Sequence, residues 1–217
     1  MSHLENELKK LKDSTMEMMM LVKSQISKSK TAVFSFDKNM AREVVHYEKR
    51  VNSLELKIDR DCETAFLLNP LAVDLRFVIA VLKINSHLER IADNAEGICR
   101  YVSEVEKPFN ESLIESMQLK KMFELAEEML DNLVTAFENE NPEMARNLLQ
   151  QDEEMDMINA LASKNVAQYL LQKNEDVIAA LNAHSFSRKL ERVGDLSKNI
   201  AEEIIFYVEA KVLKHRY

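Results

Sequence analysis

Four pairs of oxygen-bearing side chains, each spaced i to i+4, are the residues of this chain best suited to chemistry. Glu89 and Asp93 belong to the phrase Leu88-Glu89-Arg90-Ile91-Ala92-Asp93, which returns as Leu190-Glu191-Arg192-Val193-Gly194-Asp195, an offset of 102 residues from Glu89 to Glu191. Glu48 and Asn52 return as Asp152 and Asp156, an offset of 104. In a chain with 30% charged residues a lone acidic pair is normally a solvated face. Carboxylates at i and i+4 repel by about 0.2 to 0.5 kcal/mol on an isolated helix, so their recurrence calls for a compensating charge. If antiparallel packing brings each Glu48-type pair level with a Glu89-type pair, each half holds four oxygen ligands, a set that selects hard cations such as Mg²⁺, Ca²⁺, Mn²⁺ or oxidised iron. Asn52 stands where the second half has Asp156, so the first patch is expected to carry one fewer negative charge and to bind more weakly.

The elements that hold these residues repeat with them. Met40, Val44, Tyr47, Val51, Leu54 and Ile58 form one apolar helix face, and a shift of 104 lands on Met144, Leu148, Gln151, Met155, Ile158 and Ala162. The stripe Phe77, Val81, Ile84, Leu88, Ile91, Ala95, Ile98, Val102 maps, at 102, onto Ala179, Ala183, Phe186, Leu190, Val193, Ser197, Ile200, Ile204. At about 100° per residue, Glu89 and Asp93 lie roughly 140° to 160° from the stripe centre, so they and Glu191 and Asp195 are expected to face outward. Such internal repetition marks two copies of one module.

Two glycines and three prolines in 217 residues cannot supply the turns of a sheet protein, so the fold class is all-α. Asn69-Pro70, Lys107-Pro108 and Asn141-Pro142 punctuate helices of roughly 30 residues, far above the usual ~11 to 12. The first is expected from Ser2 to Phe34. The second is capped by Asp37 and reaches Leu68, and the third runs from Leu71 to Glu106. Asn110 opens a fourth with the stripe Leu119, Phe123, Ala126, Leu130, Leu133, Phe137. Asn141 caps the fifth, and the sixth covers Asp176 to Lys214. Short connections then give six long helices in two tandem up-down-up bundles, residues 1–107 and 108–217, expected to pack side by side.

Composition and motifs narrow the function classes. A net charge of −8 argues against nucleic-acid binding, and the basic C-terminal residues Lys211, Lys214, His215 and Arg216 are what a helix dipole alone favours. The longest apolar run, Phe77 to Leu82, falls far short of the ~20 residues that span a bilayer, and Met1-Ser2-His3-Leu4-Glu5 lacks signal-peptide character, so a cytoplasmic location is expected. Cys62 and Cys99 have no metal-ligand spacing and read as reduced, packed thiols. Met16, Met18, Met19 and Met20 read as adaptable core filler. His46, His87 and His184 have no counterparts in the other repeat and read as packed or solvated. No glycine-rich phosphate loop exists, which removes nucleotide hydrolases. A carboxylate-bridged di-metal oxidase requires Glu-x-x-His on two helices; the chain offers Glu43-Val44-Val45-His46, whose repeat partner is Asn147-Leu148-Leu149-Gln150. That enzyme reading fails on ligands. A scaffold bundle that binds no metal tightly is the remaining alternative.

With Asp74-Leu75-Arg76, the two Leu-Glu-Arg phrases and the four acidic or acidic-amide pairs on two helix triplets, the whole chain resembles the PhoU family of phosphate-transport regulators. The resemblance implies tandem three-helix bundles and multinuclear metal clusters, usually iron and sometimes zinc, manganese or magnesium. It puts those clusters at Glu48, Asn52, Glu89, Asp93, Asp152, Asp156, Glu191 and Asp195, and it implies no known catalysis. It also implies negative regulation of phosphate uptake through contact with the subunits of a phosphate ABC transporter and with a sensor histidine kinase, peripheral to the membrane, and it leaves a homodimer open. Asp74-Leu75-Arg76 becomes Asp176-Val177-Ile178 in the second half, so the two halves need not share one partner surface.

Overall fold

The computed structural model describes residues 2–172 and 177–211. Seven helices make up the described residues: α1 His3–Ser35, α2 Lys38–Leu67, α3 Val73–Glu104, α4 Glu111–Ser116, α5 Leu119–Glu138, α6 Pro142–Gln172 and α7 Val177–Glu209. The caps are those the residues call for. Ser2 and Glu5 form a capping box on α1, Asp37 accepts from the amides of Asn39 and Met40, and Asn141 accepts from those of Glu143 and Met144 ahead of Pro142. With both glycines inside helices, Phe36, Asn69, Gln118 and Glu140 take the left-handed backbone at the turns instead.

The expected fourth long helix is two helices. Asn110 caps α4 as anticipated, but the chain breaks at Gln118, with φ 50°, before α5 begins. The cause lies in the apolar pattern: Leu113, Met117 and Leu119 are all buried, yet positions 117 and 119 lie about 200° apart on a continuous helix. The break turns both faces inward. Asn165 of α6 holds the bend by donating to the Ser116 carbonyl at 2.9 Å.

α1, α2 and α3 pack together, as do α5, α6 and α7, and the two triplets meet through α1 against α5 and α3 against α7. Both meetings are antiparallel. Phe77 contacts Tyr207 while Tyr101 contacts Phe186, and Lys12 pairs with Glu140 while Lys30 pairs with Glu127. First helix thus meets first helix and third meets third, a pseudo-two-fold arrangement of two repeats. Phe34 on Phe123 and the Phe77, Phe137, Tyr207 group lie on this seam, so one apolar core runs through both triplets. The middle helices α2 and α6 sit outermost, giving a layer α2, α3, α7, α6 backed by α1 and α5. No helix among the described residues is long and apolar enough to cross a membrane. Lys214, His215, Arg216 and Asp176 lie outside the described residues.

Candidate metal centres

In the second repeat, α6 carries Asp152 and Asp156 and α7 carries Asp195, and one carboxylate oxygen from each lies within 4.8 Å of the others. Asp152 is buried. Its Oδ2 accepts from Lys198 Nζ at 3.0 Å, whereas its Oδ1 is buried without a hydrogen-bond partner, an uncompensated cost in a protein interior. The space for it comes from Gly194, where an added Cβ would stand 3.0 Å from Asp152 Oδ1 and 2.9 Å from Met155 Sδ. Burial and then Asp195 hold the Asp156 carboxyl above its usual range; burial, Asp195, Asp156 and Asp152 do the same to Glu191. Glu191 is therefore in the field of the other three but outside their tight group. Arg192 approaches Asp195 at 3.5 Å.

The first repeat is looser. Asn52 Nδ2 donates to Glu48 Oε1 at 2.6 Å, while Glu89 and Asp93 lie close enough for each to act on the other's carboxyl. Burial, then Asp93, then Glu55 push the Glu89 carboxyl up to about 7, and burial with Glu48 and Glu96 raises that of Asp93. Among the described residues no three acidic, histidine or cysteine side chains converge here as they do in the second repeat. Ala92, buried, replaces Gly194, and the longer Glu48 replaces Asp152.

Two expectations need correction. Glu89 and Glu191 do not face open solvent but are half-buried, because α3 and α7 each pack against three or more neighbours and have no wide free side. Nor does the first patch carry less negative charge. Glu55, which the sequence reading missed, joins it one turn beyond Asn52, and Glu96 stands where the second repeat has Lys198. The i, i+4, i+7 spacing of Glu48, Asn52 and Glu55 was the available signal for the first. The repeat cannot reveal the second, since it differs between the copies.

The remaining candidates are packed or solvated side chains. Cys62 and Cys99 are free and buried, with thiols pushed up by burial to about 12 and about 11. Met18 and Met19 are in the core, while Met20 is half-exposed. Glu43 pairs with Lys28, and His46 is exposed.

The sequence and the fold have counterparts in known proteins. The PhoU domain family model matches residues 15–102 and again 119–204. The phosphate-specific transport system accessory protein PhoU of Edwardsiella tarda is 30% identical over 96% of this chain and 86% of its own, and the Escherichia coli K12 protein of that name is 29% identical over the same shares. The crystal structure of the phosphate transport system regulatory protein PhoU from Streptococcus pneumoniae superposes with a TM-score of 0.87 at 27% identity, covering 97% of this chain and 99% of that one. PhoU from Pseudomonas aeruginosa gives 0.87 at 26% identity, covering 96% and 100%. With two family-model matches that fall on the two repeats and relatives aligned along almost its whole length, the chain belongs to the PhoU family.

Proposed function

We propose that this chain is a cytoplasmic, metal-binding negative regulator of phosphate transport and phosphate-starvation signalling. It acts by contact with a phosphate ABC transporter and a sensor histidine kinase rather than by catalysis. Family membership supports the phosphate role, and the names of the relatives support association with a phosphate-specific transport system. The observation that carries the metal reading is the convergence of Asp152, Asp156 and Asp195 with an unpartnered buried oxygen on Asp152. That donor set fits a hard divalent or trivalent cation, and the family resemblance puts iron foremost, with manganese, zinc or magnesium as alternatives. Glu191 completes the second set, and Glu48, Asn52, Glu89 and Asp93 form the first. A bound cation supplies charge neutralisation. The side chains do the rest: each set ties a middle helix to a third helix, α2 to α3 and α6 to α7, so occupancy is coupled to the angle between helices that face a partner.

Lys198 supports a second reading, a scaffold whose buried Asp152 is held by an internal cation and needs no metal. Deleting the gene separates the two. A regulator predicts raised phosphate accumulation or derepressed starvation genes in phosphate-rich medium, and recovery of transporter or kinase subunits with the tagged protein. Unchanged uptake and signalling with no membrane partner would leave the scaffold.

A further inference from the structure

The repeated phrase contains a residue that the carboxylate sets do not use. Arg90 and Arg192 occupy the same place in the two copies, and both line the groove where α3 and α7 cross, between the two acidic sets. Arg100, Arg188 and Lys189 line it too, in two adjoining recesses of about 590 Å³ each that share Asn94, Lys189 and Arg192. Arg100 pairs with Glu96 and Arg192 lies near Asp195; Arg90, Arg188 and Lys189 make no ion pair among the described residues, but Arg90 acts on the Glu89 carboxyl and Lys189 on that of Asp93. The second of the chain's two glycine sites belongs here. An added Cβ at Gly97 would stand 2.6 Å from Lys189 Nζ, so the missing side chain lets the ammonium of α7 lie down on the surface of α3.

We infer that this groove binds inorganic phosphate as the hydrogenphosphate ion. Four cationic side chains from two antiparallel helices, Arg90, Arg100, Lys189 and Arg192, line the first recess, and guanidinium groups match the oxygens of a tetrahedral oxyanion in paired hydrogen bonds. The four cations face three carboxylates, Glu48, Asp93 and Glu96, an excess of one positive charge, and Glu48 and Asp93 are shared with the first acidic set; the adjoining recess sets Arg188, Lys189 and Arg192 against Glu191 and Asp195 of the second. An all-basic lining would accept any dianion, whereas a lining with a carboxylate accepts a hydrogen bond from the P–OH of hydrogenphosphate and repels sulfate, which has no proton to give. The pseudo-two-fold places one motif arginine from each repeat on the ligand, so both halves are needed for one site. The oxyanion site stands on the groove itself; the choice of phosphate rests on the proposed role in phosphate regulation.

Titration calorimetry on chelator-treated full-length protein tests this with inorganic phosphate, sulfate and glycerol phosphate. The expected result is saturable one-to-one phosphate binding, sulfate weaker by about tenfold or more, and a loss of about tenfold or more in Lys189→Met and in Arg192→Gln, the scale of one charge-assisted hydrogen bond. Gly97→Ala should weaken phosphate without unfolding the chain, because alanine is the better helix former. Absent saturation, or unchanged affinity in both charge variants, would overturn the site, and equal sulfate affinity or tighter binding of the ester would overturn its assignment to phosphate. None of those results touches the deletion phenotype, which tests the regulatory role separately.

Discussion

Gly194 controls how far the Asp152 carboxylate can enter the second acidic set. A methyl group at that position displaces Asp152 Oδ1 or Met155 Sδ, so Gly194→Ala should lower cation affinity in the second repeat by about tenfold or more, as outer-shell changes do, while the helix persists. Isothermal titration against the wild type measures it, and equal affinity would show that Asp152 is not a ligand. In the first repeat Glu89 makes stability depend on pH. The folded metal-free protein keeps the Glu89 proton up to about pH 7, whereas the unfolded chain releases it near 4.5. Folding therefore takes up a proton in that window, and the stabilisation is complete below 4.5 and lost as pH rises through about 7. Urea melts of the metal-free protein should show a higher midpoint at about pH 5 than at about pH 8, and a saturating cation should remove the difference by compensating the carboxylates. The eight candidate positions stood out in the sequence because they repeat, and the structure groups three of them, Asp152, Asp156 and Asp195. The burial of Asp152 was not legible, because the apolar stripe of its helix passes through the neighbouring Gln151.

Helices were the most legible level, because long apolar stripes and three prolines leave few alternatives. Leu88 and Leu190, centred on their stripes, are fully enclosed. Leu88→Ala should cost about 2 to 5 kcal/mol, measured by equilibrium unfolding, and a cost under 1 kcal/mol would mean that the site collapses around the deletion. The break between α4 and α5 was hidden. Its sequence has no glycine or proline, and only the burial of both Met117 and Leu119 reveals that one straight helix cannot satisfy the pattern. Tertiary packing overrode a local sequence that reads as continuous helix.

At the scale of the molecule, the antiparallel crossing of α3 and α7 puts both carboxylate sets and the basic groove between them on one face, with α1 and α5 behind. Duplication was visible in the sequence; the pairing of like helices across the seam was not, since the aromatic residues that define it are not themselves repeated. The central claim is that the two acidic sets hold separate metal clusters. Elemental analysis with an anomalous-scattering map, after reconstitution with iron, manganese or zinc, tests it most directly when wild type is compared with the double variant Glu191→Gln, Asp195→Asn. The account predicts metal at both sets in the wild type, and loss of the second-repeat cluster alone in a variant that remains folded. No retained metal in the wild type, or metal unaffected by the double substitution, would contradict it.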